Sequence, residues 1–381
     1  MKHLLIVQNV PTQFDVPLYN ELARSARFRL TVIYTQARRE GPGIDAEIGR
    51  APQWDHIGEA CYSHVYLTPA QARRSAEVVA MIAGTAADLV LISGYYPPLH
   101  QKLVRPLRRR GFSVGLRSDN TLAHSNFRGL KGLLKKIILP VWLARYTSWH
   151  PVGTLARQYL EAVSHTRRRT YLFPYNVDNA WFAGESARHR EHRAQTLVEM
   201  GFSPDDFIVL GIMKWHDRED PLVLVRAFRQ LLARQARARL ILVGDGPLRQ
   251  NVEQMLEGIE DKVHAPGYLP YSSLPGLYGL ADVFVHPAPV EPWGVSVNEA
   301  MACGVPVVIS SGVGAAADLV EPGQTGFVFP AGDWQDLEDK LFSLSVDTDR
   351  QSMQAACRQK MWDWSYETTR IAFERALGVI D

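Results

Sequence analysis

Cysteine is scarce in this sequence of 381 residues. Only Cys61, Cys303 and Cys357 occur, and their spacing fits neither a disulfide framework nor a zinc site. The sequence also lacks any run of about 18 apolar residues that could cross a membrane. The apolar stretch at the N-terminus is too short for the core of a secretory signal peptide. We therefore expect a cytoplasmic protein without structural disulfides, zinc or a membrane span.

Net charge is also nearly absent, but the charges are unevenly distributed. The chain has 42 Lys and Arg against 40 Asp and Glu, a balance of +2. Residues 1–200 have a balance of +12 and residues 201–381 one of −10, and segment 101–150 holds 11 basic residues with one acid. A single core usually stops growing by about 250–300 residues. Length and charge asymmetry together indicate two domains with different partners.

Short apolar runs recur along the chain, separated by amphipathic helical stretches. Such runs are typical of strands in a parallel sheet that helices cover on both faces. Their alternation predicts two doubly wound, Rossmann-like α/β domains, with the active site in a cleft between them at the carboxyl ends of the strands. The predicted strands are Leu4–Val10, Leu30–Tyr34, Leu89–Ser93, Ser113–Leu116, Tyr171–Pro174, Phe207–Ile212, Leu240–Val243, Val263–Gly267, Val283–His286, Val305–Ser310 and Phe327–Phe329.

A polar stretch rich in Arg and His, Asp178–Glu199, lacks strand character and follows the punctuating Pro174. We place an N-terminal domain at 1–180, a C-terminal domain at 181–355 and a separate tail at 356–381.

The segment after the predicted strand Val283–His286 contains the highest density of candidate functional residues. It is rich in proline and then turns at Gly294 into a predicted helix, Ser296–Cys303, with Ser296 at the N-cap or in the first turn and Gly304 just past the end. The free N–H groups at the start of this helix would form an anion site at the positive end of the helix dipole.

Two acids accompany that anion site, Glu291 in the loop and Glu299 in the helix. A carboxylate can accept hydrogen bonds from the two hydroxyls of a ribose or sugar diol, while amides hold a diphosphate. The alternative is that Glu291 is a solvated loop charge and Glu299 only complements the helix dipole.

The spacing of these two acids resembles the Glu-x7-Glu motif of the retaining nucleotide-sugar glycosyltransferases of family 4, which have the GT-B fold. About 150 residues of the second half match that family in order and spacing. The resemblance implies a hexosyl-type transferase with a nucleoside-diphosphate sugar as donor, no cofactor and no metal. The matching segments are Leu242–Pro247, Gly267–Pro270, Ala281–Pro287, Val307–Ser310, Gly312–Gly314, Ala317–Val320 and Glu321–Pro330.

The resemblance also implies roles for individual residues. Glu299 would hold the ribose diol of the donor, and Glu291 would lie near the hydroxyls of the donor sugar. The remaining donor contacts are expected from the backbone: Trp293 and Gly294 to sugar hydroxyls, Val295 and Ser296 to the diphosphate, and Tyr268 and Leu269 to the base.

One position departs from the family pattern, which places a basic residue after a strand end and a Lys five residues later. Here Lys214 occupies the first position but Glu219 the second, with Arg218 beside it. We predict that Lys214 and Arg218 together neutralise the leaving diphosphate. The alternative is that Arg218 pairs with Asp217 or Glu219 in a surface loop.

The first half offers weaker signals for the acceptor. Family members often have a glycine-rich loop after the first strand, which this chain lacks. Arg117 and Asp119, at the end of a predicted strand, are the acceptor-side candidates, with His124 nearby. The alternative is that Arg117 and Asp119 bridge loops structurally.

The basic segment Phe127–Tyr146 has the pattern of a cationic amphipathic helix. With the arginines upstream, region 101–146 is a candidate for contact with an anionic membrane surface, although a core helix with a solvated Lys face is the alternative. Family members with such basic domains often use lipid-linked acceptors, so we expect a saccharide or lipid-linked acceptor and possible peripheral membrane association. The tail resembles the family's C-terminal helix that crosses back to the first domain.

The predicted function is sugar transfer to an acceptor hydroxyl in the biosynthesis of cell-surface polysaccharide, lipopolysaccharide or glycolipid. The alternatives are a sugar-nucleotide epimerase of the same fold and a non-catalytic nucleotide-sugar-binding relative in which Glu219 reflects lost activity. A phosphorylase is less consistent, since no convincing pyridoxal-phosphate Lys site is visible. Nucleic acid is not expected as a partner, because no recognition helix, zinc finger or aromatic RNA-binding motif occurs.

Overall fold

The computed structural model describes residues 1–36, 55–56, 58–125, 127–347 and 350–380, which form two compact α/β units. The first unit contains 1–36, 58–125, 127–176 and 364–380, and the second contains 55–56, 177–347 and 350–363. The units therefore meet in sequence at Asn176/Val177 and Asp363/Trp364, whereas the sequence prediction put these boundaries at 180/181 and 355/356.

Thirteen strands are described, seven in the first unit and six in the second. In chain order they are β1 (Lys2–Gln8), β2 (Phe28–Tyr34), β3 (Ser63–Tyr66), β4 (Leu89–Ser93), β5 (Ser113–Ser118), β6 (Ser148–Pro151), β7 (Arg169–Thr170), β8 (Phe207–Ile212), β9 (Ala238–Val243), β10 (Val263–Gly267), β11 (Val283–His286), β12 (Val307–Ser310) and β13 (Gly326–Phe329).

Helices connect and cover these strands. They are α1 (Asp15–Ala23), α2 (Pro69–Arg73), α3 (Ser75–Ala83), α4 (Pro98–Arg109), α5 (Gly129–Leu143), α6 (Thr154–Ser164), α7 (Asn179–Glu191), α8 (Arg193–Glu199), α9 (Pro221–Arg234), α10 (Arg249–Leu256), α11 (Leu274–Leu280), α12 (Val295–Ala302), α13 (Ala316–Leu319), α14 (Trp334–Val346), α15 (Arg350–Asp363) and α16 (Tyr366–Ala376).

Both sheets are parallel and share one strand order. The first runs β3-β2-β1-β4-β5-β6-β7 and the second β10-β9-β8-β11-β12-β13. In each sheet the strand order reverses beside the unit's first strand, between β1 and β4 or between β8 and β11. Their strands are rich in Val, Leu and Ile that are fully buried between helical layers. The prediction of two doubly wound, Rossmann-like α/β domains is therefore confirmed.

The strand prediction was wrong in four places: it missed β3, β6 and the two-residue β7, and it placed a strand at Tyr171–Pro174. The segment Tyr171–Pro174 is not a strand, although the N–H groups of Tyr171 and Phe173 still donate to the β6 carbonyls of Trp149 and Pro151 at 2.9 Å. Strands β3 and β6 were missed because Ser-His-Val-Tyr and Ser-Trp-His-Pro lack a continuous apolar run. β6 is nevertheless fully buried, since its place inside the sheet outweighs its composition.

The last helix, α16, belongs to the first unit. The ring of Phe373 lies 4.8 Å from that of Phe173, and the buried Glu374 pairs with Arg27 at 2.9 Å. Asn176 donates to the carbonyl of Trp364 at 3.0 Å and accepts from the Thr369 hydroxyl at 2.9 Å. No helix in the described part of the chain is long and apolar enough to cross a bilayer.

Candidate donor site in the second unit

The strand order of the second sheet reverses between the neighbouring strands β8 and β11, and the two halves of the sheet extend from this switch point. In doubly wound sheets a crevice opens at this point, beyond the carboxyl ends of the strands, because the connections leave to opposite sides. The loop after β8 carries Lys214 and Arg218, and the loop after β11 carries Glu291. Three of the predicted catalytic residues therefore lie at the switch point.

Helix α12 begins at Val295, one residue before the predicted start, with Gly294 as N-cap at φ +89°. A Cβ at Gly294 would lie 2.9 Å from Val313 Cγ1, so both conformation and space favour glycine. Ser296 lies in the first turn, and the N–H groups of Val295 and Ser296 have no acceptor within the helix. The N–H of Val297 already donates to the Gly294 carbonyl at 3.0 Å. The predicted anion site within the helix is therefore limited to the N–H groups of Val295 and Ser296.

The end of α12 confirms the predicted role of Gly304. The N–H of Gly304 bonds to the Met301 carbonyl and that of Val305 to the Ala300 carbonyl, both at 2.9 Å. This pair of bonds is the Schellman arrangement, and Gly304 takes the positive φ of +73° that it requires.

A glycine-rich segment after β12 holds the Glu291 loop. Glu291 donates its N–H to the Gly312 carbonyl and accepts at its own carbonyl from the Gly314 N–H, both at 2.9 Å. A Cβ at Gly312 would lie 1.9 Å from the Pro289 carbonyl oxygen, and one at Gly314 would lie 1.9 Å from that of Pro292. Only glycine allows this approach, and it fixes where the Glu291 carboxylate lies.

Trp293 is a buried support of the same loop. Its indole N–H donates to Asn298 Oδ1 at 2.8 Å, and its carbonyl accepts from the Ala315 N–H at 2.9 Å. The backbone N–H of Trp293 donates to the Glu291 carboxylate. The predicted sugar-binding amide of Trp293 is thus engaged with the acid beside it.

Three charged groups lie near Glu291: Glu219, Arg218 and Lys214. Arg218 lies 3.2 Å from Glu219 and 3.8 Å from Glu291 and so bridges the two acids. Burial raises the pKa of Glu291 to about 7, and the neighbouring Glu219 adds to this, whereas Arg218, the Trp293 N–H and Lys214 oppose it. The two basic side chains therefore do not fully offset the effect of burial and of Glu219 on the pKa of Glu291.

Glu219, the unexpected acid, turns inward. Its side chain is buried and accepts from the backbone N–H of Lys214 at 2.7 Å. It therefore holds the loop that presents Lys214, in addition to pairing with Arg218. The alternative pairing of Arg218 with Glu219 is observed, and it coexists with the approach to Glu291.

Glu299 lies on the buried side of α12 and is only 4% exposed. Its carboxylate accepts from the Tyr278 hydroxyl at 2.9 Å and also from the Tyr271 hydroxyl. Burial raises the pKa of Glu299 to about 7, against the lowering effect of both tyrosines. Sequence reasoning missed these two tyrosines. For Tyr278 the available signal was a phenol within the otherwise apolar segment of α11, whereas Tyr271 precedes that helix.

The predicted base-contacting residues Tyr268 and Leu269 follow β10, at the edge of the sheet, and are half-buried. Between them and the switch point lies the turn after β9. A Cβ at Gly244 would lie 1.9 Å from the Met213 carbonyl oxygen, so that glycine lets the turn approach the Lys214 loop.

In the first unit, Arg117 is 4% exposed and its charge is satisfied locally. It contacts Asp15 at 2.7 Å and lies over the ring of Phe173 at 4.0 Å. Asp119 is half-buried and accepts from the Tyr175 hydroxyl at 2.9 Å. These contacts fit the structural alternative for Arg117, and its acceptor role stays a prediction.

No group of three or more His, Cys, Asp or Glu in the described ranges is arranged to hold a metal ion.

Comparison with known proteins finds similarity to glycosyltransferases. Residues 196–360 match the family of glycosyl transferases group 1. Sulfoquinovosyl transferase SQD2 of Arabidopsis thaliana is 33% identical over 64% of this chain and 51% of that protein. The GDP-mannose-dependent monoacylated alpha-(1-6)-phosphatidylinositol monomannoside mannosyltransferase of Corynebacterium glutamicum is 26% identical over 85% of this chain and 82% of its own length.

Solved structures agree in fold. HepE of Anabaena, in complex with UDP and glucose, gives a TM-score of 0.71 at 17% identity, with 100% of both chains covered. A glycosyltransferase from Rickettsia africae gives 0.75 at 15% identity over 99% of this chain and 97% of that one. The Rossmann-like units thus match neighbours of the GT-B fold.

The chain spans about half the length of several curated relatives it matches, SQD2 included. The family match and the named relatives support the prediction that the chain is a glycosyltransferase.

Proposed function

We propose, from the glycosyl transferases group 1 domain in residues 196–360, that this protein is a retaining glycosyltransferase. It would move a sugar from a nucleoside-diphosphate sugar to an acceptor hydroxyl, in the synthesis of cell-surface polysaccharide, lipopolysaccharide or glycolipid. The observation that carries the proposal is the switch point of the second sheet, where the start of α12, two basic side chains and the Glu291 carboxylate converge. The donor class agrees with relatives whose names include UDP or GDP-mannose.

In the proposed reaction the acceptor hydroxyl attacks the anomeric carbon on the face from which the diphosphate departs. The bond to the diphosphate breaks, and a diphosphate oxygen takes the hydroxyl proton. Lys214, Arg218 and the first amides of α12 would stabilise the charge on the leaving group. Glu299 would hold the ribose diol and Glu291 the donor sugar, so no bound metal and no covalent protein nucleophile is needed.

The first unit would supply the acceptor side and contact an anionic membrane. On α5 a stripe of large apolar side chains faces solvent and is more than half exposed, with Lys135 and Lys136 also exposed. Apolar stripes beside basic residues are typical of helices that lie in an anionic interface. The stripe consists of Leu130, Leu133, Leu134, Ile137, Ile138 and Val141.

Donor binding tests the core of the proposal. A panel of nucleotide sugars is screened for a rise in thermal midpoint, since a ligand that binds the folded state stabilises it. Glu299→Ala should weaken donor binding and remove most transfer. Full activity in that variant would contradict the assignment of Glu299 to the donor site. Incubating donor without acceptor separates transfer from epimerisation, because an epimerase would yield an isomeric nucleotide sugar.

Vesicle co-sedimentation tests the membrane contact. Binding to anionic vesicles should exceed binding to neutral ones and weaken as salt rises. Equal binding to both, or to neither, would contradict the peripheral assignment while leaving the donor chemistry standing.

A further inference from the structure

The first unit contains a cavity of about 270 Å3 to which the proposed chemistry assigns no role. Its wall is largely aromatic, formed by Tyr95, Tyr96, Phe127, Trp142 and Tyr159. Tyr95 and Tyr96 follow β4 after Gly94, and Trp142 comes from the last turn of α5. The cavity therefore joins a strand end of the sheet to the helix that carries the exposed apolar stripe.

Two of the tyrosine hydroxyls in this wall bond to each other. The hydroxyls of Tyr95 and Tyr159 lie 2.7 Å apart in a hydrogen bond, and burial raises the pKa of both phenols. The ring of Tyr95 stacks on Tyr96 at 4.7 Å and lies 5.3 Å from that of Trp142. With their hydroxyls paired, the tyrosines contribute mainly aromatic carbon to the wall, which suits an apolar ligand.

One side of the cavity is shared with the outer surface of α5. Ile138 lines the cavity and is also 54% exposed, so it belongs to both the cavity and the apolar stripe. Lys135, one turn earlier, lines the cavity as well and is exposed. Leu139 lines it from the half-buried side of the helix. An apolar chamber thus lies beside a cation and next to a surface suited to a bilayer.

We propose that this cavity binds a segment of one hydrocarbon chain of an anionic amphiphile, with its phosphate near Lys135. The volume is slightly below the roughly 300–1,000 Å3 of ordinary small-molecule sites, which fits one chain segment and excludes a pair of chains. The charge of Lys135 complements a phosphate-bearing head group. That this amphiphile is the sugar acceptor rests on the proposed function, whereas binding of its hydrocarbon chain does not depend on catalysis.

The experiment measures binding of n-alkyl phosphates from hexyl to dodecyl, below their micelle concentrations and without vesicles, to the full chain. Each added methylene that enters the cavity should tighten binding by about fourfold, until the cavity is full and the dissociation constant levels off. A dissociation constant that does not change with chain length, or that never levels off, would overturn the proposal.

Two substitutions on α5, two residues apart, separate the cavity from the outer stripe. Leu139→Trp fills the cavity and should weaken octyl phosphate binding at least tenfold while vesicle binding persists. Ile137→Gln removes an outer apolar side chain that does not line the cavity, and should do the reverse. Leu172→Trp, an exposed leucine of the same unit outside the cavity, controls for added bulk. Parallel loss of both kinds of binding in both α5 variants would contradict the proposal.

Lys135→Gln should weaken octyl phosphate binding severalfold and leave octyl glucoside unaffected, because only the phosphate carries charge. The series on the unchanged chain keeps the test valid even if Leu139→Trp fails to fold. Glu299→Ala should bind alkyl phosphates normally, so a failed cavity and a failed donor site give different results. If the protein transfers sugar to a water-soluble acceptor and alkyl phosphate binding does not depend on chain length, the proposed function stands and the cavity proposal is overturned.

Discussion

The two units have the same strand order but handle buried charge differently. In the first, Arg117 meets Asp15 at 2.7 Å, and the Asp15 carboxylate also accepts from Gln8 at 2.5 Å and Thr12 at 2.7 Å. Burial alone would lower the pKa of Arg117, but Asp15 and nearby tyrosines outweigh it and raise that pKa. Charge at this strand end is therefore compensated.

In the second unit the acids are under-compensated. The pKa values of Glu291 and Glu299 are raised to about 7, mainly because Glu299 is buried and Glu291 is half-buried. Groups held at such a cost to stability are typical of functional sites, whereas a compensated pair is typical of structural ones. One topology can thus hold a compensated ion pair in one unit and the proposed reactive site in the other, and the residues at the strand ends decide which.

The largest effect expected concerns the compensated pair. Arg117→Ala leaves Asp15 buried without its cation, which should lower the free energy of unfolding of the first unit by about 3–5 kcal/mol. Urea unfolding measures this, with Arg105→Ala on the exposed face of α4 as a control that should change little. Unchanged stability together with a raised KM for acceptor would instead place Arg117 in the acceptor site.

The next effect separates activity from stability in the second unit. Lys214→Ala should reduce kcat by about 10²–10³-fold, because it removes a cation that would stabilise the leaving diphosphate. Its unfolding free energy should change little, since the half-buried Lys214 anchors its loop through its backbone N–H. Lys262→Ala, at a lysine directly before β10, serves as the matched control. Loss of stability without loss of turnover would contradict the assignment.

The sequence predicts those parts of this comparison that depend on local pattern. β4, β8 and β11 have the predicted bounds because each is a short, largely apolar run between turn residues. The Glu291 and Glu299 spacing is equally local, since both acids belong to one strand–loop–helix segment.

What it could not predict depends on partners distant in sequence. Tyr278 reaches Glu299 only because α11 packs near α12, and Gly312 reaches Pro289 only because two strand ends are neighbours. The inward turn of Glu219 and the pairing of Arg117 with Asp15, 102 residues apart, are likewise consequences of the folded sheet. Residue type indicates that a charge is present, and tertiary packing determines whether it is compensated.

A smaller effect tests whether Glu299 acts as a charged acceptor. Glu299→Gln should weaken donor binding by about 10–100-fold, as expected for lost hydrogen bonds to a charged group. In the unchanged protein, ionisation of Glu299 as pH rises through about 7 should favour donor binding. Titration calorimetry from pH 6 to 8 should show that this rising component disappears in the variant. A profile that is identical in both proteins would exclude Glu299 from the donor site.

The smallest effect concerns the stability cost of Glu291. Because its folded pKa is raised from 4.5 to about 7, the folded state binds more protons than the unfolded state between these pH values. Its contribution to stability therefore falls as pH rises through this window and is least favourable above pH 7. Glu291→Gln removes the buried charge, and at pH 8 it should raise the free energy of unfolding by about 1–2 kcal/mol, with little gain at pH 5.

Urea unfolding at both pH values measures that gain, with the exposed Glu253→Gln as the control. The corresponding change in the first unit, Asp15→Asn, should have the opposite sign, because it breaks the pair with Arg117 and leaves the cation buried. If both substitutions destabilised the protein at pH 8, the acid of the second unit would be as well compensated as that of the first. The electrostatic difference between the two strand ends would then no longer distinguish the reactive unit from the scaffold.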